Sequence, residues 1–449
     1  MCHAVLVAGT HGKIAFVRAI RMSIRMLQEL DYNDFTNTVD RFLGGARAPM
    51  DVSIEVTRRC PLTCLHCYNN LPMGDLGARN HELSLDEHKQ LLDELSAAGV
   101  VWLLYTGGEI FARKDFMDIY KYAKQKGFLI TLFTNGVLID EKLADELAEW
   151  RPLGIEITLY GNTATTYEAL TGIPGSYDRC MRGIALLLER GLPLQLKTVP
   201  TKINQHEVYA MKRFAEHDLG VKFKYDPMVN PRVDCSQSPL EVRLSPEEVV
   251  RLELQDPDRT GAMRIVAQKE LERTTSAIES SDSNMYICGG GHNSCAIDPY
   301  GNMSICVISH GQQYNWRTEG FRKGWDQFLG GQRERKKTRI TKCTRCKLQS
   351  LCSMCPANGE LENGDPEKPV EFLCHVAHLR AHAFGLQPTE HGECEFCAGG
   401  HRHGEVLASA EQLRNMPIEI PEWVPPIETF NILNNQSGST CGSGCGKHV

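Results

Sequence analysis

The sequence has no apolar run long enough to cross a bilayer. Runs such as VVWLLY and FLITLF stop at six residues, where a spanning helix needs about 20, so no membrane-spanning helix is expected. Positive charge is also short. With 49 Lys plus Arg against 56 Asp plus Glu, the formal charge is −7, which removes the basic footprint that binding to nucleic acid demands. The first residues, MCHAVLVAGTHGK, lack both a basic stretch and a small-residue cleavage site, so an unprocessed, cytoplasmic chain is expected. Apolar content of 42% and charged content of 23% leave an ordinary globular composition with enough apolar mass for more than one domain.

Cysteine is what the chain has in excess. Its 18 thiols, with no export signal, are expected to stay reduced, so a disulfide framework is not expected. Most fall into tight groups: 60/64/67, 288/295/306, 343/346/352/355, 394/397 and 441/445. Grouped thiols in a reducing compartment point to metal or cluster ligation, or to catalysis.

Residues 1–50 read as an N-terminal helical segment and linker. The helix is expected over 11–43 and the linker is GGARAP. Arg18, Arg21 and Arg25 share one face of that helix, either a solvated surface or a dock for an acidic peptide. Over 51–230, apolar strands DVSIEVT, VWLLYT, FLITLFT, GIEITLY, LPLQLKTV and VKFKYD alternate with helical patterns. The helix in SLDEHKQLLDEL opens with a capping box, Ser84 and Glu87. Six such units imply an α/β fold with a parallel sheet, either a partial TIM-like (β/α)6 barrel or an open doubly wound sheet. Its chemistry belongs at the carboxyl ends of the strands. Residues 231–287 read as a connector with one helix beginning at Ser245-Pro246. Residues 288–385 are Cys- and Gly-rich with little periodicity, expected to be held by ligands more than by a core. Residues 386–449 read as a loosely ordered, Cys-containing tail.

The motif RRCPLTCLHCYNN places Cys60, Cys64 and Cys67 directly after the first strand. Thiolates are the usual ligands of iron–sulfur clusters, and three of them leave one iron of a [4Fe–4S] cube open to another ligand. The arrangement Cys-x3-Cys-x2-Cys-Tyr resembles the signature of the radical S-adenosylmethionine (SAM) superfamily. That resemblance implies that the open iron chelates SAM, which is cleaved reductively to a 5′-deoxyadenosyl radical. Gly107, Gly108 and Glu109 after the second strand resemble the family's GGE motif, whose backbone and carboxylate would hold the SAM amino group. Asn135 and Thr158, ending the third and fourth strands, would make polar contacts to SAM. Lys197, ending the fifth, would meet the SAM carboxylate or be solvated. Tyr68 would lie beside the cluster near the adenine.

The second set, Cys288, Cys295, Cys306, Cys343, Cys346, Cys352, Cys355 and Cys374, suits either a zinc ribbon or clusters. Downstream of such a barrel it resembles a SPASM domain, with two auxiliary [4Fe–4S] clusters. The resemblance gives Cys288, Cys295, Cys306 and Cys355 to an inner cluster, and Cys343, Cys346, Cys352 and Cys374 to an outer one. The spacing between Cys352 and Cys355 is one residue shorter than the family's. Cys394 and Cys397 read either as a zinc site with His401 and His403 or as a reduced loop; Cys235 faces the active-site end of the barrel.

The function these resemblances imply is hydrogen abstraction from a peptide or protein substrate, maturing a ribosomally made peptide by a thioether or carbon–carbon cross-link. A flavodoxin- or ferredoxin-type donor would supply electrons, and a separate leader-binding protein is a further expected partner. A sulfatase-maturing, formylglycine-forming enzyme is the alternative, which a carboxylate base in the barrel would favour. A non-enzymatic iron–sulfur electron carrier is the alternative from another class; it has no use for an open iron. The sequence identifies no catalytic acid or base.

Overall fold

Val52, Ile54 and Val56 have no exposed surface, because the strand that carries them, β1 (Asp51–Thr57), is flanked on both edges. In the computed structural model residues 1–48 form one unit and 49–449 another. The structure describes residues 38, 41, 44–273, 284–346, 348–386 and 393–417. The helix expected over 11–43 lies outside the described residues apart from Thr38 and Arg41, as do Cys2, Cys441 and Cys445.

On one edge of β1 the sheet continues through β2 (Trp102–Gly107), β3 (Leu129–Thr134), β4 (Gly154–Thr158), β5 (Leu194–Thr198) and β6 (Lys222–Tyr225). Every neighbouring pair in this series is parallel. These are the six strands that the apolar runs predict. A mostly parallel α/β sheet, barrel-like in its six strands, is therefore the fold. Helices return the chain between strands, among them α1 (Leu85–Ala97), α2 (Ala164–Thr171) and α3 (Ser176–Glu189). The expected capping box, Ser84 with Glu87, opens α1, and the helix expected at Ser245-Pro246, α4 (Pro246–Gln255), opens with another, Ser245 with Glu248.

The other edge of β1 corrects an expectation. The Cys-rich region is not held by ligands alone. Its strand β7 (Ser294–Ile297) pairs parallel with β1, from Asp51↔Ser294 to Ile54↔Ile297, and β8 (Asn302–Ser304) pairs antiparallel with β7. Trp316, Phe321, Trp325 and Leu329 are buried in the core shared with the barrel. Strands of four and three residues carry too little periodicity to be recognised alone; they form because β1 offers an open edge to pair with.

The tail expectation is corrected as well. Cys394, Phe396 and Cys397 are buried, and helix α6 (His403–Asn415) turns Val406, Ala410 and Leu413 inward at i, i+4 and i+7. Helix α5 (Glu371–Ala383) is its neighbour. Among the described residues no helix is long and apolar enough to cross a membrane, and no disulfide forms.

Candidate active site

The cysteine loop is fastened on three sides. At its start, Gly107 and Gly108 let two chain segments approach closely. A Cβ on Gly107 would stand 2.1 Å from the Thr57 carbonyl oxygen, and one on Gly108 would stand 2.4 Å from that of Arg58. Only glycine fits there. The approach is closed by hydrogen bonds from Gly108 N to Thr57 O (2.8 Å) and from Glu109 N to Arg59 O (3.0 Å). On a second side, Thr63 N and Leu65 N donate to the carbonyls of Thr171 and Leu170 at the end of α2. On the third, the Arg232 guanidinium donates to Cys67 O (3.3 Å), Asn70 Oδ1 (2.8 Å) and Asn70 O (2.7 Å).

This fastening brings Cys60, Cys64 and Cys67 within electrostatic reach of one another. Burial pushes the Cys60 thiol up to about 12, with Glu109 adding to the effect, and raises Cys64 and Cys67 too. Such thiols give up their protons only to a bound cation. The Cys60 sulfur already accepts from Leu62 N (3.4 Å) and Asn135 Nδ2 (3.5 Å). Donors aimed at sulfur suit a cluster thiolate and tune its potential.

The loop forms one wall of a cavity of about 360 Å³ at the carboxyl ends of β1–β5. Tyr68, Gly107, Gly108, Asn135, Thr158 and Lys197 all line it. Tyr68 is fixed by its hydroxyl, which donates to Glu55 Oε1 at 3.0 Å. Glu109 is the correction. It does not face the cavity: it is fully buried, and its carboxylate accepts from Thr134 Oγ1 (2.7 Å), Asn135 N (2.8 Å) and Phe111 N (3.2 Å). It therefore shapes the Thr134–Asn135 turn from behind. Lys197 lies on the wall, but its ammonium is paired with Glu156 (3.2 Å) over the Phe133 ring, and burial lowers its pKa to about 7.

Among the wall residues that sequence reasoning missed are His66 and Tyr160, beside the cysteine loop. His66 lines the cavity with a buried Nδ1 that has no protein partner, and burial holds its pKa down at about 4. Its ring is 5.3 Å from that of Tyr160, whose hydroxyl bonds Cys64. An orphaned polar atom on the cavity wall leaves a hydrogen-bonding position open to a bound ligand. The signal was available, since His66 sits between two cysteines of the motif. Cys235 is exposed and does not line the cavity.

The C-terminal cysteines separate into groups. Cys306, Cys355 and Cys288 are within electrostatic reach of one another, and Cys352 of Cys343 and Cys346. The short spacing thus still turns Cys352 and Cys355 to different partners. Cys295 is buried on β7, next to Ala296, whose partner on β8 is Ser304, two residues before Cys306. Cys288, Cys343, Cys346, Cys352 and Cys355 line one cavity of about 350 Å³. Cys374 borders a smaller cavity with Cys343, Cys346 and Cys352, but its sulfur contacts belong to Cys394 and His378.

Comparison with known proteins agrees with this geometry. Residues 54–215 match the model of the radical SAM superfamily. The chain is 25% identical over 339 residues to the AdoMet-dependent heme synthase of Methanosarcina barkeri, covering 71% of this chain and 94% of that protein. It is 34% identical over 158 residues to the PqqA peptide cyclase of Rhodopseudomonas palustris, covering 35% of this chain and 41% of that one. Among solved structures, Streptococcus suis SuiB bound to S-adenosylmethionine aligns with a TM-score of 0.56 at 18% identity, covering 81% of this chain and 88% of that one. SuiB bound to its precursor peptide SuiA gives 0.54 at 16% identity, covering 79% and 86%. Residues 54–215 therefore form a radical SAM domain followed by a SPASM-like cysteine cluster, and the cofactors that such a domain requires are SAM and a [4Fe–4S] cluster.

Proposed function

We propose that this enzyme takes a hydrogen atom from a peptide side chain and thereby matures a ribosomally made peptide through a thioether or carbon–carbon cross-link. With SAM and the cluster bound at Cys60, Cys64 and Cys67, reductive cleavage of SAM supplies the 5′-deoxyadenosyl radical that abstracts the hydrogen. The chain's own residues position and exclude. Gly107, Gly108, Asn135 and Thr158 offer backbone and side-chain polar groups along the strand ends, while Leu104, Phe133, Val199, Met228 and Val307 keep water out.

One observation carries the substrate class. Among the described residues, no carboxylate and no arginine line the cavity, and its single lysine is already held by Glu156. A neutral side chain fits such a wall; a multiply anionic substrate has no free cation there to meet it. The same lack of a carboxylate counts against the formylglycine-forming alternative, which needs a base. The SuiB–SuiA complex supports a peptide entering this fold. A second reading, an iron-porphyrin substrate, is favoured by similarity over 94% of the length of an AdoMet-dependent heme synthase.

We further infer an inner auxiliary cluster on Cys288, Cys295, Cys306 and Cys355, and an outer one that includes Cys343, Cys346 and Cys352. Both suit removal of the electron that a substrate radical sheds on forming a bond. A flavodoxin- or ferredoxin-type donor reduces the SAM-binding cluster, in the reducing cytoplasm. The test is anaerobic incubation of reconstituted enzyme with dithionite and SAM, once with a peptide encoded beside the gene and once with Fe-coproporphyrin III. Loss of two hydrogens from the peptide, absent in Cys64→Ala, is the expected result. Turnover of the porphyrin with the peptide untouched overturns the proposal.

A further inference from the structure

Behind the outer cysteines the chain builds a second kind of site. The ligand atoms of Cys374, His378 and Cys394 all lie within 4.8 Å of one another, and all three residues are buried. Among the described residues no other three cysteine, histidine or carboxylate groups come this close. Cys397 stands beside the set without meeting that spacing to every member: its sulfur is 3.3 Å from His378 Nε2, and that of Cys394 is 3.6 Å from the same nitrogen. The Cys60, Cys64 and Cys67 sulfurs do not meet this spacing, as befits thiolates that bind different irons of a cube. Thiolates on one zinc at about 2.3 Å stand about 3.8 Å apart in a tetrahedron. The cluster at Cys374 has the spacing of a single ion.

The surroundings prepare it. His378 Nδ1 is 2.7 Å from the Cys374 carbonyl oxygen. A carbonyl only accepts, so the ring proton sits on Nδ1 and leaves the Nε2 lone pair toward Cys394 and Cys397, the tautomer that a metal requires. Cys394 and Cys397 sit on a tight knuckle, with Cys397 N donating to Cys394 O (3.4 Å) and Gly400 N to Cys397 O (2.8 Å). A Cβ on Gly400 would stand 2.4 Å from the Cys394 carbonyl oxygen, so the knuckle closes only with glycine. The Phe396 ring stacks on His375 at 4.9 Å and lies 5.5 Å from His378, shutting out solvent. His403, expected as a ligand partner of the cysteine pair, turns its Nδ1 to the Phe396 carbonyl (2.9 Å) instead, and His401 is exposed.

We propose that Cys374, His378, Cys394 and Cys397 hold one zinc ion, closed and structural, that pins α5 to the knuckle leading into α6. Three thiols lose their protons to solvent on binding and the imidazole stays neutral, so the site carries one net negative charge. Lys342 is within electrostatic reach of Cys374 and Cys394 to balance it. Cys374 is thereby taken from the outer cluster, which keeps the thiolates of Cys343, Cys346 and Cys352.

The test is metal content and zinc K-edge absorption of the full chain, purified and reconstituted anaerobically. Wild type is expected to hold one zinc per chain with three sulfurs and one nitrogen around it, beside its iron. Cys397→Ala and His378→Gln are expected to lose the zinc while keeping their iron, and to bind SAM as wild type does, which shows that the barrel remains folded. Absence of zinc from wild type overturns the proposal without any variant. Loss of iron in place of zinc from Cys397→Ala also overturns it, because these residues would then serve a cluster.

Discussion

Glu109 is the residue whose role shifts most between motif and structure, and replacing it with glutamine tests the shift. The carboxyl has no cation beside it, and burial raises its pKa from 4.5 to about 7. Its hydrogen bonds from Asn135, Thr134 and Phe111 lower it only in part. Between pH 4.5 and 7 the folded protein thus holds a proton that the unfolded chain releases. Stability attributable to this group must fall as pH rises through that window and level off above it. The span of about 2.5 units (7 − 4.5), at 1.36 kcal/mol per unit, is worth on the order of 3 kcal/mol. Glu109→Gln has no such slope. The variant has a cost of its own, because its amide nitrogen must face either the Asn135 N–H that Oε2 now accepts at 2.8 Å or the Phe111 N–H that Oε1 accepts at 3.2 Å. Two opposed donors cost about 1–3 kcal/mol. Wild type is therefore expected to be the more stable at pH 5, and the two are expected to converge near pH 7 to 8. Anaerobic thermal melts at several pH values read this directly, as a difference in Tm that shrinks by several degrees. A difference that stays constant from pH 5 to 8 would mean that Glu109 is ionised throughout, and the account of it as a neutral buried brace would be wrong.

Two further predictions concern the same frame. His88 on α1 is fully buried beside Arg113 (3.3 Å), and burial, reinforced by the Arg113 charge, lowers its pKa from 6.5 to about 3. Here the unfolded chain is the one that binds the extra proton, so stability is lost as pH falls below 6.5, by about 2 kcal/mol at pH 5. His88→Leu should flatten that acid limb in urea titrations at pH 5 and 7; an unchanged limb would locate the acid sensitivity elsewhere. Arg232 holds the cysteine loop by three hydrogen bonds from one guanidinium. Arg232→Gln should speed loss of iron from that loop to a chelator roughly tenfold, since hydrogen bonds from a charged group are worth about 1.5–3 kcal/mol. An unchanged rate would show that the fastenings at Gly108 and at α2 suffice.

Much of this was legible beforehand, for reasons that can be stated by residue. The six barrel strands are buried apolar runs bounded by turns, and a parallel sheet covered by helices leaves such runs uninterrupted. The cysteine loop and the glycine pair were visible because three ligands and a close backbone approach both need short, fixed spacing. What spacing cannot show is where a side chain turns. Glu109 follows Gly108 in the chain yet points behind the wall, because the Thr134 hydroxyl and the Asn135 amide are there to satisfy it. Lys197 reaches the wall as expected but meets Glu156, a residue one strand away that no motif marks. His378 was invisible for a related reason: it lies one helical turn beyond Cys374 and 16 residues before Cys394, so only folding shows that they share a site.

β1 explains why the Cys-rich region sits against the barrel. One edge of the strand pairs with β2, whose end supplies Gly107 and Gly108, and the other with β7, which carries Cys295. Beyond β1, Arg58 extends the link: its guanidinium lies 3.5 Å from both Glu55 and Asp298, and Glu55 in turn accepts from Tyr68 and Asn69 behind the cysteine loop. The turn after β7 and the loop of Cys60, Cys64 and Cys67 are thus joined by one chain of polar contacts, most of them part-buried. A flexible tether would let the distance between cysteine groups vary, and electron transfer falls steeply with distance. A shared strand and a shared ion pair fix that distance, so the position of the C-terminal cysteines is set by the same β-strand that leads into the loop of Cys60, Cys64 and Cys67.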